Sequence, residues 1–160
     1  MRIGIGYDAH RLTEGRPLVL GGCMIPFEKG LLGHSDADVL THAIIDAILG
    51  GAALGDIGRH FPDTDRRYEN ISSLHMLKEV RNLIDKASLS VGNIDGIIVA
   101  QAPKLADFLP HMAKNIACAL GVADGVVNVK ATTEEGMGFT GTGLGIAAHA
   151  AALLVYKEKG

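Results

Sequence analysis

Asp8 and His10 stand two apart in the run Gly6-Tyr7-Asp8-Ala9-His10-Arg11, and in an extended chain side chains at i and i+2 share one side. His42 lies further on, in Asp38-Val39-Leu40-Thr41-His42, where apolar residues recur at helical spacing. One carboxylate and two imidazoles form a three-ligand set that suits zinc and leaves the fourth tetrahedral position open to substrate or water. Asp38 and Asp46, at i−4 and i+4 from His42 on the same helical face, could each hold the ring nitrogen a metal leaves free. The same residues also fit a His10 in a surface loop and a His42 that caps or fills a core. Spacing alone leaves that choice open.

Three more polar clusters follow. Gly55-Asp56-Ile57-Gly58, then His60-Phe61-Pro62-Asp63-Thr64-Asp65, make a shaped loop whose acids suit sugar hydroxyls better than phosphate, although a solvated acidic turn would read the same way. Lys130-Ala131-Thr132-Thr133-Glu134-Glu135-Gly136 offers hydroxyls and open backbone N–H groups to phosphate, and an acid to a hard cation such as Mg²⁺. Glycines at 136, 138, 141, 143 and 145 permit close backbone approach. No Gly-Lys-Ser/Thr follows them, so this is no Walker A loop, and no βαβ unit frames a dinucleotide fingerprint. Ala100-Gln101-Ala102-Pro103-Lys104-Leu105 leaves an apolar strand with small residues against which a flat ring could lie, or forms a simple turn.

The elements that would carry these clusters can be read from periodicity. Residues 2–8 alternate, with Ile3, Ile5 and Tyr7 on one face of a half-buried strand. Residues 17–25 read as a short strand pair around Gly21-Gly22. Residues 35–49 predict a helix capped by Ser35, with Val39, Leu40, Ala43, Ile44, Ala47 and Ile48 as its apolar stripe and Gly50-Gly51 as its end. Further helices are expected over 72–87, with Leu74, Leu77, Val80 and Ile84 inward, and over 109–120, with Pro110 in the first turn and Gly121 as cap. Residues 93–101 and 126–132 read as strands. Residues 143–156 are ambiguous, because their alanines favour helix while their short apolar run suits a central strand. The order predicts an α/β sandwich with helices on one sheet face.

Composition limits the function classes. The 160 residues are the size of one domain, so residues 1–160 are expected to form a single unit. With 48% hydrophobic and 21% charged residues, disorder is excluded. The most apolar stretch, 146–156, is far short of a bilayer span and contains His149. The chain enters strand-like sequence at once, which leaves no room for a signal peptide and predicts a cytoplasmic protein. A net charge of −3 without a Lys/Arg cluster argues against nucleic acid as partner. Cys23 and Cys118 form no metal or disulfide pattern and are expected to be reduced, buried small hydrophobes.

Taken in order, the clusters resemble the 2-C-methyl-D-erythritol 2,4-cyclodiphosphate synthase family. The matching runs are Gly6 to Arg11, Gly33-His34-Ser35-Asp36-Ala37-Asp38-Val39-Leu40-Thr41-His42-Ala43, Gly55 to Gly58, His60 to Asp65, Ala102-Pro103-Lys104, Lys130 to Thr133, and Gly138-Phe139-Thr140-Gly141. The resemblance implies a ferredoxin-like mixed sheet with helices on one face, in which 143–156 is a strand, and a homotrimer with active sites between subunits. It implies conversion of 4-diphosphocytidyl-2-C-methyl-D-erythritol 2-phosphate to the cyclic diphosphate with release of CMP, in non-mevalonate isoprenoid synthesis. Asp8, His10 and His42 would then hold Zn²⁺ or another divalent transition metal, and Glu135 would position Mg²⁺ or Mn²⁺ on the diphosphate. His34 and Thr133 would stabilise the transition state. His34, Ser35, Asp56, Gly58 and Asp63 would line the methylerythritol phosphate site, with Ile57, Phe61, Asp65 and Phe139 as further substrate-binding residues. Ala100, Pro103, Lys104, Leu105, Ala106, Thr132 and Thr133 would surround the cytidine and its phosphates. The chain departs from some relatives in having Thr142 and His149 where an Arg and an acid grip an isoprenoid diphosphate at the trimer axis. A zinc hydrolase and a non-catalytic nucleotide-binding trimer are the rival classes.

Overall fold

A computed structural model describes residues 1–157. The backbone runs β1 (Arg2–Glu14), β2 (Leu18–Leu20), β3 (Cys23–Ile25), β4 (Lys29–Leu31), α1 (Val39–Ala52), α2 (Ile57–His60), α3 (Ser73–Lys86), β5 (Leu89–Val99), α4 (Leu109–Leu120), β6 (Val127–Thr132), α5 (Gly138–Gly141) and β7 (Gly145–Tyr156). Five strands form one mixed sheet in the order β4-β1-β7-β5-β6, and β2 and β3 form a separate ribbon. β7 is antiparallel to both β1 and β5, whereas β5 and β6 are parallel. Helices α1, α3 and α4 pack on one face, as expected.

β7 resolves the ambiguity at 143–156 in favour of strand. Its inward positions Ile146, Ala148, Ala150, Ala152 and Leu154 are buried beneath the helical layer. Alanine is required there because α1 lies unusually close to the sheet. A Cβ placed on Gly6 would stand 1.9 Å from the Ala43 carbonyl oxygen, and one on Gly4 would stand 1.9 Å from that of Ala47. Close packing between layers thus overrides the helix propensity of the alanines.

That contact also reverses the expected facing of β1. Gly4 and Gly6 point toward α1, while Ile3, Ile5 and Tyr7 project from the opposite, uncovered face and are 73%, 81% and 51% exposed. Alternation was legible, but the buried side is the one with no side chains. The bare face continues across β7 and β5 as a shallow hollow lined by Ile5, Tyr7, Asp95, Ile97, His149 and Ala151.

Helix α1 begins four residues later than its sequence suggests. Asp38, not Ser35, is the cap: its carboxylate accepts from the Thr41 N–H at 3.0 Å and also from Gly21 N–H at 2.9 Å and Gly22 N–H at 2.8 Å. Fully buried, Asp38 has its pKa pushed up by desolvation, against which these donors work. Gly50-Gly51 does not stop the helix, which continues to Ala52 and ends on Ala53 in the left-handed conformation. Buried nearly all round, α1 is the spine of the core. Helix α4 has the expected Pro110 and Gly121 signals, the latter at φ 67°. Leu77, Val80 and Ile84 of α3 are buried, while Leu74 packs at the core's edge. Cys118 is exposed and Cys23 only half-buried, contrary to expectation.

Candidate active site

Strand β1 presents Asp8 and His10 toward the first turns of α1, where His42 faces them. The Gly6–Ala43 contact fixes how near the two elements come. Asp8 Oδ2 lies 2.9 Å from His10 Nε2 and 3.0 Å from His42 Nδ1, and the two ring nitrogens are 3.3 Å apart.

The outer hydrogen bonds decide where the imidazole protons sit. His10 Nδ1 is 2.9 Å from the Leu32 carbonyl, which can only accept, so the proton is on Nδ1 and the Nε2 lone pair faces the cluster. His42 Nε2 lies 2.8 Å from Ser73 Oγ and 3.1 Å from Ser35 Oγ, and Nδ1 is the atom turned inward. With both rings neutral, three electron-pair donors converge, and a bound cation or an added ring proton makes the arrangement favourable. These atoms form a set that could hold a metal ion. Burial would raise the pKa of Asp8, but hydrogen bonds from His10 and His42 and their nearby charge outweigh it and hold the carboxyl well below its usual range. Burial acts to lower the pKa of His10, yet Asp8 raises it above the ordinary 6.5.

Asp38 and Asp46 do not orient His42, contrary to the expectation from their i±4 spacing. Asp38 is consumed as the helix cap, and Asp46 accepts the Ile57 N–H at 2.7 Å, which ties α2 to α1. Serines do the orienting instead. Sequence reading missed Ser73, because it approaches from another helix.

A cleft of about 470 Å³ opens over the cluster, lined by His34, Ser35, Ile57, Gly58, Phe61 and Asp63 among others. Tyr68 and Met76, which the sequence did not single out, complete its apolar wall, with Tyr68 edge-on to Phe61 at 5.3 Å. Loop 33–38 is held from behind by Arg16, whose Nη2 donates to the Ser35 carbonyl at 2.8 Å. His34 Nε2 lies 3.3 Å from the Asp65 carbonyl. Asp56 caps α2 with one oxygen, Oδ1, which accepts the Arg59 N–H at 3.0 Å. The Asp65 carboxylate is turned to the Arg67 guanidinium, at 2.6 Å, which holds its pKa down. Neither of these two carboxylates is aimed into the cleft.

The remaining expected residues lie elsewhere. Ala9, Ala147, Val99 and Thr132 form one row across β1, β7, β5 and β6. Three strand spacings, about 14 Å, therefore separate the two clusters at the same end of the sheet. Lys104, Ala106, Thr132, Thr133 and Glu135 are exposed, Pro103 is half-buried, and Ala100 and Leu105 are buried beneath them. Thr133 Oγ donates to Glu135 Oε1 at 2.9 Å, and Glu135 and Gly136 turn at φ 52° and 81°. Phe139 borders a second hollow with Ala9, His10, Arg11 and Leu144, and so adjoins the cluster through His10. One chain thus brings Asp8, His10 and His42 together with loop 56–63 and places Phe139 beside His10, but holds Lys104, Thr132, Thr133 and Glu135 apart from them.

A helix-backed mixed sheet with a carboxylate and two imidazoles converging at one end defines the class: a small α+β protein with a three-residue set that could hold a metal ion beside a cleft. The YgbB family model matches residues 1–155, and the chain belongs to that family. It is 60% identical over 154 residues to the 2-C-methyl-D-erythritol 2,4-cyclodiphosphate synthase of Clostridium novyi, covering 96% of this chain and 98% of that protein. The synthase of the same name from Pelotomaculum thermopropionicum is also 60% identical, over 96% of this chain and 95% of that one. Among solved structures, the bifunctional IspDF of Campylobacter jejuni matches with TM-score 0.94 at 43% identity over 98% of this chain, which spans 42% of that longer protein. The CDP complex of Plasmodium falciparum IspF matches with TM-score 0.86 at 36% identity, over 98% of this chain and 97% of that one. Among the described residues, no helix is long and apolar enough to cross a membrane.

Proposed function

We propose that residues 1–160 act as one catalytic domain that converts 4-diphosphocytidyl-2-C-methyl-D-erythritol 2-phosphate to 2-C-methyl-D-erythritol 2,4-cyclodiphosphate and CMP, a step of non-mevalonate isoprenoid synthesis. By this reading the protein is a cytoplasmic phosphorus–oxygen lyase. An oxygen of the 2-phosphate bonds to the β-phosphorus, the bond from that phosphorus to the oxygen shared with the α-phosphate breaks, and CMP leaves with the electron pair. The nucleophile is already ionised at neutral pH, so no base must create it; the obstacle is repulsion between two anions. Positioning and charge neutralisation are what phosphoryl transfer chiefly requires.

The observation that carries the proposal is the convergence of Asp8 Oδ2, His10 Nε2 and His42 Nδ1, with the other nitrogen of each ring hydrogen-bonded on its far side. Asp8, His10 and His42 would hold Zn²⁺, which supplies Lewis acidity to a phosphoryl oxygen. Glu135, a single exposed carboxylate, fits the outer contact of a Mg²⁺ or Mn²⁺ that keeps most of its waters and travels with the diphosphate. His34 and Ser35 face the reacting phosphates from the cleft rim, while Ile57, Gly58, Phe61 and Asp63 enclose the methylerythritol and exclude water. Thr133 offers a hydroxyl to the diphosphate. Lys104 and Thr132 serve the nucleotide phosphates, and Ala100, Pro103, Leu105 and Ala106 take the cytosine. Asp56 and Asp65, which also shape the loop that carries these neighbours, bind the substrate with them.

The separation of about 14 Å between clusters, and a cleft lining without Lys or Arg among the described residues, favour a homotrimer in which the nucleotide side of one chain meets the metal side of the next. The apolar, uncovered sheet face of Ile3, Ile5 and Tyr7 supplies a surface for that assembly. The test is incubation of the purified protein with the cytidine diphosphate substrate and Mg²⁺, followed by phosphorus NMR. Cyclic diphosphate with stoichiometric CMP is the expected result. A linear phosphate product, or unchanged substrate with zinc bound, would overturn the proposal.

A further inference from the structure

Helix α3 is capped from outside its own sequence. Ser72, in the cap position, makes no side-chain bond to the helix, and the Ser73 N–H donates instead to Asp36 Oδ2 at 2.9 Å. Asp36 belongs to loop 33–38, so the start of α3 is tied directly to the segment carrying His34 and Ser35. The Ser73 hydroxyl also donates to Asp36, through Oδ1. Ser73 is fully buried, so its single proton has no competing water to serve.

That commitment has a consequence two bonds away. A serine oxygen has one proton and two lone pairs. With its proton given to a carboxylate, which can only accept, Ser73 Oγ can only accept from His42 Nε2 at 2.8 Å. The proton of His42 is thereby placed on Nε2, and Nδ1 is left as an unprotonated donor toward Asp8 and His10. Ser35 Oγ lies further from Nε2, at 3.1 Å, and already accepts the Ala37 N–H at 3.2 Å. Ser35 also lines the cleft, where it is free to turn to a ligand, whereas Ser73 has no route to one.

We infer that Ser73, oriented by Asp36, is a positioning residue for the metal site: the Asp36–Ser73–His42 relay fixes the His42 tautomer so that Nδ1 is its ligand atom. The inference rests on Asp8, His10 and His42 being metal ligands. A hydrogen-bonded partner behind a metal-binding histidine ordinarily contributes about 10–100-fold to metal affinity.

The experiment measures Zn²⁺ affinity by competition with a chromophoric chelator in wild-type protein, Ser73→Ala and Ser73→Thr, with His42→Ala as reference. Two-bond ¹H–¹⁵N correlation spectra of the zinc-loaded, ¹⁵N-histidine protein report the tautomer. Expected are one tight site per wild-type chain, about 10–100-fold weaker binding in Ser73→Ala, recovery in Ser73→Thr, and a His42 proton on Nε2 in the wild type. Should Ser73→Ala fail to fold, the wild-type spectrum still decides. A zinc-bound Nε2 on His42, or undiminished affinity in a folded Ser73→Ala, would overturn the relay and leave the metal site standing. Wild-type protein that binds no zinc, or binds it as His42→Ala does, would overturn the metal reading itself.

Discussion

Two clusters sit at the same end of the sheet and are built in opposite ways. Around Asp8, His10 and His42, each ring has its far nitrogen held by a partner, Leu32 for His10 and Ser73 for His42, and the strand-to-helix distance is set by glycine. Around Thr132, Thr133 and Glu135 the side chains are exposed and bond mainly within their own turn. The first cluster is organised before anything binds, and the second waits. Metal coordination tolerates little misplacement and needs lone pairs aimed in advance. Phosphate and nucleotide contacts can be completed by the ligand and, on the reading proposed here, by a neighbouring chain.

The largest effect that would test this contrast comes from His42→Ala. Removing a ligand exceeds the loss from removing a ligand's support, so zinc affinity should fall by more than about 100-fold. Turnover should vanish with it, while light scattering should find the assembly intact. Metal retained at full stoichiometry would take His42 out of the site. Next in size is Ile5→Glu on the uncovered face. A carboxylate buried there on assembly carries a penalty of several kcal/mol, on the order of 100- to 1,000-fold in association. Sedimentation should show single chains that still bind zinc but do not turn over substrate. Active single chains would mean that each chain completes its own site.

Legibility in the sequence follows the same division. Ligand types and the strand and helix carrying them could be read locally, because i, i+2 and helical spacing are properties of one element. The facing of β1 could not, since alternation marks two faces and only the approach of Ala43 to Gly6 selects the glycine side. Helix α1 looked to begin at Ser35 because the capping pattern there is genuine in form. The Gly21-Gly22 turn, distant in sequence, donates to Asp38 and moves the start to Val39. The partners of His42 were misassigned to Asp38 and Asp46 for the same reason: both have tertiary duties, and Ser73 arrives from α3. The residues expected around the nucleotide came from resemblance, and within one chain Lys104, Thr132 and Thr133 stand apart from the Asp8, His10 and His42 cluster.

On the second cluster, Thr133→Ala and Lys104→Ala should each lower kcat/KM by about 100-fold, the scale of losing one donor to a charged transition state. Zinc stoichiometry should be unchanged in both, as read by metal analysis of the purified variants. Loss of zinc from either would mean that the two clusters are coupled inside a single chain and that their contrast is false.

The smallest expected effect is one of pH, and it belongs to the metal side alone. Asp8 raises the pKa of His10 above 6.5, so without a metal the ring takes a second proton, on Nε2 toward the carboxylate, more readily than a free imidazole. Metal must displace that proton. Below the raised pKa, apparent zinc affinity should therefore climb by about tenfold per pH unit, and above it the dependence on His10 should flatten. Asp8, whose pKa is held low, stays ionised throughout this range and adds no slope. Chelator competition at several pH values between 5.5 and 8 measures the curve. A flat profile across that window would mean that His10 holds no proton against Asp8, and that its Nε2 is not turned toward the carboxylate in the protein in solution.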